Sequence, residues 1–274
     1  MPRSAAAPRS TLRFAGAFAA ALASAPAAAQ EGAPPPGHGE HAAPADGRAE
    51  RGAPAGAVRE MGHPPAHAGA PHGGVIPEGA TVPLYDDLGD RTFPVTTSSE
   101  LAQRYVDQGM RLVYGFNHGE AIRAFEEAAR LDPAAPMPHW GIALALGPNI
   151  NLPMDPANEP RAHAEAQRAA ELAAGTSERE RAYAAALAVR YGSDAGERRA
   201  AKDSAYASAM RGVAQRFPED LDAATLYAES LMDLAPWNYW TPEYELRPGM
   251  EELVPTLESV LARDIDHAGA CHFY

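Results

Sequence analysis

The sequence predicts an all-α fold built from repeated antiparallel helix pairs over residues 95–274, preceded by a segment that does not fold. Three observations predict it. From residue 97 onward, large apolar residues recur in steps of three and four along single faces. The same large-large-small-large order returns further down the chain, first after about 34 residues. Residues 30–94, by contrast, carry few large apolar side chains and no period, so they bury too little surface to offset chain entropy.

Taken in order, residues 1–29 have the makeup of a secretory signal peptide. Arg3, Arg9 and Arg13 form a positive start, "FAGAFAAALASA" an apolar core, and "APAAA" before Gln30 a small-residue cleavage site. The apolar run is too short and alanine-rich for a membrane span. A periplasmic or secreted protein is expected. Residues 30–94 follow as a disordered Ala/Gly/Pro/His segment and linker.

"TSSE" at 97–100 reads as a capping box, with Thr97 bonding forward and Glu100 reaching back. The helix behind it places Leu101, Tyr105, Gly109, Leu112 and Phe116 on one face. "FNHGE" at 116–120 turns the chain into a second helix carrying Ala121, Ile122, Phe125, Ala128 and Leu131, which Pro133 stops. An advance of about 34 residues carries Gly109 to Ala143, where Trp140, Ile142, Ala143 and Leu146 repeat the order of the first helix. Ala224, Tyr227, Ala228 and Leu231 repeat it again, and "HAGACHFY" begins it once more. Between these, residues 177–191 open with a capping box from Ser177 to Glu180 and bury Tyr183, Leu187 and Tyr191. Residues 197–217 align Tyr206, Met210, Val213 and Phe217. Residues 250–263 align Met250, Leu253, Leu257 and Leu261, with Pro255 either near the start of that helix or kinking it.

Tyr105, Gly109, Leu112, Ala121, Phe125, Ala128 and the closing "LDP", all within residues 102–135, resemble the signature of tetratricopeptide (TPR) repeats. The later repeats are degenerate, and the resemblance extends over 97–274. The stretch from "FPVTTSSE" to "WGIALALGPNIN" further resembles exported, largely uncharacterised bacterial TPR proteins. The resemblance implies a right-handed α-solenoid whose concave face is lined by the first helix of each repeat and which binds a peptide or protein partner. Where the family's peptide clamps carry Lys and Asn, this chain has Val106, Met110, Trp140 and Leu144. A carboxylate clamp is therefore not expected, and that surface is expected to meet an apolar partner or another part of a longer chain.

The intervals between Pro133, Pro218 and Ile265, the residue where the next Asp-Pro would fall, exceed whole repeats. The excess is two insertions, "GPNINLPMDPANEP" at 147–160 and "APWNYWTPEYELRPG" at 235–249. Each follows the first helix of its repeat, so both are expected on one rim. Trp237, Asn238, Tyr239, Trp240 and Tyr244 suit stacking on a partner, or else fold back over a repeat junction. Asn149, Asn151 and Asp155 are candidate contacts whose commoner use is forming turns.

The net charge of −13 runs against nucleic acid and against docking on anionic lipid. A single cysteine excludes an internal disulfide framework. No nucleophile elbow, Walker loop, HExxH or CxxC occurs, so no catalytic residue is assigned. Cys271 and His272, adjacent on a helix, point about 100° apart and do not form a nucleophile–base pair. Cys271 aligns with His139 and Ala224 at an inward-facing position and is expected to be a buried packing thiol. His38, His41, His63, His67 and His72 suit weak capture of Cu²⁺, Ni²⁺ or Zn²⁺. The expected function is thus an exported, non-catalytic scaffold for a protein or peptide. The alternatives are a metal-handling protein or the scaffold part of a longer enzyme. Because a repeat helix needs a partner to cover it, the chain is also expected to stop within a repeat, as a fragment.

Overall fold

The computed structural model describes residues 74–192 and 198–274. The chain divides into Met1–Gly62 and His63–Tyr274, and every described residue belongs to the second unit. The leader expected over 1–29 and the five histidines His38, His41, His63, His67 and His72 lie outside the described residues.

The described residues are all-α. The helices are α1 (Glu100–Tyr114), α2 (His118–Leu131), α3 (Pro136–Leu146), α4 (Glu159–Leu172), α5 (Glu178–Ala188), α6 (Arg199–Arg216), α7 (Leu221–Met232), α8 (Leu253–Leu261) and α9 (Ala268–Phe273). Among these residues β pairing is confined to isolated antiparallel bridges. Each helix packs on the next along the chain, and α1 with α3, α3 with α5, and α7 with α9 also touch. The last helix, α9, returns to α1.

Glycines mark three close approaches between helices. The Phe125 ring of α2 is wedged between Gly109 of α1 and Gly141 of α3, and a Cβ at either would come within 2.5 Å of it. No larger residue leaves room for that ring. Gly269 of α9 does the same for Tyr114, again at 2.5 Å.

Helix ends follow local chemistry, with one shift from the expected cap. Ser99, not Thr97, caps α1 by accepting the Ala102 N–H. Thr97 instead donates to Asp132, which also receives the amide and hydroxyl of Ser98. The box at Ser177 and Glu180 forms as expected. Pro255 lies in the first turn of α8, where its missing N–H has no intrahelical partner to lose. Helix α4 has no counterpart in the sequence reading, because its buried face is alanine alone: Ala162, Ala166 and Ala169. Such a face is helical in spacing but carries no large apolar residue to signal it.

Residues 74–94 do not form a linker. They lie with 95–98 as a strap against the helices, 75–84 closing on itself through an antiparallel Val75–Leu84 pair and the rest running on without helix or ladder, with Phe93 2% and Leu84 9% exposed. Composition hid this, because the strap's backbone is fixed by side chains far along the chain rather than by a pattern of its own.

Cys271 is exposed, contrary to the expected packing thiol. The tight Gly269–Tyr114 contact sets the rotation of α9, which buries Gly269, Ala270 and Phe273 and turns Cys271 outward. Its thiol bonds to the Ile265 carbonyl at 3.0 Å.

Candidate functional site

Helices α1, α2 and α5 hold the strap by its backbone. Side chains of α1, α2 and α5, and the Asp132 cap, accept strap N–H groups in sequence order. Thr81 donates to Glu127 at 2.7 Å, Tyr85 to Gln108 at 2.9 Å and Phe93 to Asp107 at 2.8 Å. Val95 donates to Gln103 at 2.9 Å, Thr96 to Glu180 at 2.6 Å and Ser98 to Asp132 at 2.7 Å. Tyr105 donates back to the Val82 carbonyl, and the Gln108 amide to that of Pro83. An extended segment leaves its peptide groups unpaired, and buried ones need partners. These side chains supply them.

Phe93 anchors the centre. Its ring stacks on Trp140 of α3 at 5.5 Å, meets Tyr183 of α5 edge-on at 5.6 Å, and lies 4.3 Å beneath the Arg179 guanidinium. Two residues earlier, Arg91 reaches Asp222 of α7 and Asp264 ahead of α9. Asp222 also accepts from Tyr114 at 2.8 Å and faces His267 Nε2 at 3.4 Å. Burial alone would raise this carboxyl, but His267, Arg91 and Tyr114 outweigh it and hold it below its ordinary value. His267 accepts the Ala270 N–H through Nδ1, capping α9, which leaves the proton on Nε2 directed at Asp222 and Thr225. Glu127 is held at about 2 by Arg130 and by the hydroxyl and amide of Thr81, against the effect of burial.

Val106 and Met110, expected to meet a partner, are buried at 1% and 3% exposure. Where the strap ends, a cleft of about 860 Å³ opens between it and the first turns of α5 and α7, lined by Arg91, Arg179, Arg216, Glu180, Asp220 and Phe217 among others. Its charged groups are partnered: Arg179 with Asp220, Arg91 with Asp222, and Glu180 accepting from the Thr96 N–H.

The second insertion presents its rings outward. Trp237 is 72%, Trp240 47% and Tyr244 86% exposed. Trp237 and Tyr244 have φ of 59° and 64°, left-handed backbone that a bulky residue adopts only when its surroundings impose it. A bridge between Trp240 and Leu246, with Thr241 donating to the Glu245 carbonyl, closes the hairpin. Asn238 is exposed, and Tyr239 alone turns back to pack against the core. In the first insertion Asn149 is buried and folds its own turn, its Oδ1 accepting from Asn151 and Leu152. Asp155 does likewise with Ala157, and both Asn151 and Asp155 are exposed.

The two insertions share an anchor that sequence reasoning missed, the fully buried Arg190 just after α5. Its Nη2 donates to the Pro148 carbonyl of the first insertion at 3.2 Å and to Asp233, at the root of the second, at 2.5 Å. Its Nε lies 3.5 Å from Asp203, and its guanidinium covers the Tyr206 ring at 4.4 Å. An Arg in "AVRYG" carries no sequence signal of burial.

Among the described residues no group of three or more His, Cys, Asp or Glu is placed to hold a metal ion. His139 pairs instead with Glu165 at 2.7 Å. Among the same residues no helix is long and apolar enough to cross a membrane. No protein-family model matches the chain, and no curated protein is found similar to it.

Proposed function

We propose that the chain is an exported, non-catalytic scaffold of tetratricopeptide type that engages a protein or peptide partner through its aromatic hairpin at 235–249. One observation carries this reading: three large rings stand in solvent on a hairpin whose backbone is left-handed at two of them. Natural surfaces hide such residues unless they bind, and Trp and Tyr dominate the energetics of protein contacts. Val106 and Met110, which the TPR resemblance nominates for the partner, are buried, which favours the exposed hairpin as the contact. The signal-like residues 1–29 support export, and the helix pairs joined at Gly109, Phe125 and Gly141 support the TPR assignment.

The test is binding of the 30–274 chain to an array of extended peptides. Trp237→Ala and Trp240→Ala should each weaken retained peptides by about 2 kcal/mol, the size of an interface hot spot. Absence of any retained peptide, or turnover of a substrate that is lost on mutating one polar residue, would refute the reading.

A further inference from the structure

The last turn of α7 and its cap carry two carboxylates one helical turn apart, Glu229 and Asp233. Both are out of water: Glu229 is 5% exposed and the Asp233 side chain 2%. Each keeps one buried oxygen, Glu229 Oε2 and Asp233 Oδ1, with no hydrogen-bond partner among the described residues. Arg190 Nη1, Tyr206 OH and Tyr239 OH are buried and unpartnered in the same way.

The groups that face this pair come from every element around it. Arg190 and Tyr191 follow α5, Arg199, Asp203 and Tyr206 belong to α6, and Tyr239 comes from the aromatic hairpin. Arg190 gives its hydrogen bonds to Asp233, Asp203 and Pro148, and Arg199 gives its own to Asp203, Glu159 and the Arg190 carbonyl. Glu159 is matched by Lys202. Asp203, Asp233 and Glu229 thus face Arg190 and Arg199, one carboxylate too many for the guanidinium groups present. A buried, unmatched carboxylate costs several kcal/mol. Packing beside Arg190 is also tight, since a Cβ on Gly147 would lie 2.4 Å from the Tyr191 hydroxyl and 3.5 Å from Arg190 Nη1. A proton fits where an ion does not.

We propose that Glu229 and Asp233 share one proton, and that this proton is the latch holding the aromatic hairpin against the helices. Asp233, hydrogen-bonded to Arg190, is the anion, and Glu229 carries the proton and donates it to Asp233 Oδ1. One bond then satisfies both unpartnered oxygens. Asp233 caps α7, the hairpin leaves from it, and Tyr239 packs beside it. When the proton leaves, two adjacent anions compete for one guanidinium, water enters, and the hairpin lifts.

Burial pushes both carboxyls up, Glu229 above Asp233, which Arg190 draws back down. The closed hairpin therefore binds the proton more tightly than the open one. Opening grows by about tenfold per pH unit from the ordinary carboxylate range up to the raised value, then levels off. The latch is a property of the chain alone, so it stands or falls separately from partner binding.

Hydrogen exchange of the 235–249 amides, corrected for the intrinsic rate and followed from acid to mildly alkaline pH, reads this opening. The wild-type chain should show the rise continuing to the raised Glu229 value, and Glu229→Gln, whose amide donates to Asp233 without titrating, should keep only the smaller part that Asp233 contributes and level off at lower pH. Infrared spectra at neutral pH should contain a protonated carboxylic acid band that Glu229→Gln lacks. Equal pH dependence in the two chains would overturn the proposal. So would the absence of that band from the wild-type protein, a measurement that stands even if the variant fails to fold.

Discussion

Replacing Phe93 with alanine removes the ring that pins the strap to α3 and α5. A buried Phe→Ala change costs about 3–5 kcal/mol. Phe93 belongs in the upper half of that range, because it is 2% exposed and its ring has specific partners in Trp140, Tyr183 and Arg179. Each aromatic pair adds about 0.5–1.5 kcal/mol beyond area, so about 4 kcal/mol is expected. The loss should be local, since the helices keep their own contacts through Phe125, Gly109 and Gly141. Hydrogen exchange should therefore show Thr81, Tyr85, Val95, Thr96 and Ser98 losing protection while the amides of α2 and α3 keep theirs. A urea melt gives the global cost alongside. A cost below about 1 kcal/mol, or equal loss of protection in strap and helices, would refute the view that Phe93 is a local anchor.

Gly141→Ala should destabilise by about 1–3 kcal/mol, the cost of overpacking, because its Cβ would strike the Phe125 ring at 2.5 Å; a urea midpoint checks it. Acid should loosen the strap's first half. With Glu127 held near 2 in the folded chain, its contribution is present above the ordinary carboxylate value and is lost as pH falls from about 4.5 toward 2. Exchange at the Thr81 amide should follow that window in the wild type and become flat in Glu127→Gln. Trp237→Ala should leave the melting transition within about 0.5 kcal/mol of wild type, as exposed substitutions do, while abolishing the quenching of its fluorescence by bound peptide.

The helix pairs were legible where their signals are local. Tyr105, Gly109, Leu112 and Phe125 announce α1 and α2 by spacing, and Ser177 with Glu180 marks the start of α5. Helix α4 escaped because its inner face is built of alanine. The strap escaped for a deeper reason: Gln103, Asp107, Gln108 and Glu127 look like ordinary polar positions on amphipathic helices, and only the fold shows that they accept strap amides. Val106 and Met110 were singled out as partner-facing, but nothing in their spacing told that they would be buried. The hairpin rings could be singled out by composition. Their split into three outward and one inward could not, because it follows from the φ reversals at Trp237 and Tyr244. Arg190 was invisible because burial of a charge is decided by Asp203, Asp233 and Pro148, none of them its sequence neighbours.

The strap also imposes an order on the chain's making. Arg91 leaves the ribosome 131 residues before Asp222 and 173 before Asp264, the two carboxylates that hold it. Chains emerge and begin to fold from the N-terminus, so the strap is synthesised before every helix that holds it. The partners of Phe93 are complete once α5 has formed, whereas Arg91 has no complete site until Asp264 has followed α8. The strap is thus seated in two stages, and contacts as distant in sequence as those of Arg91 make the second one slow.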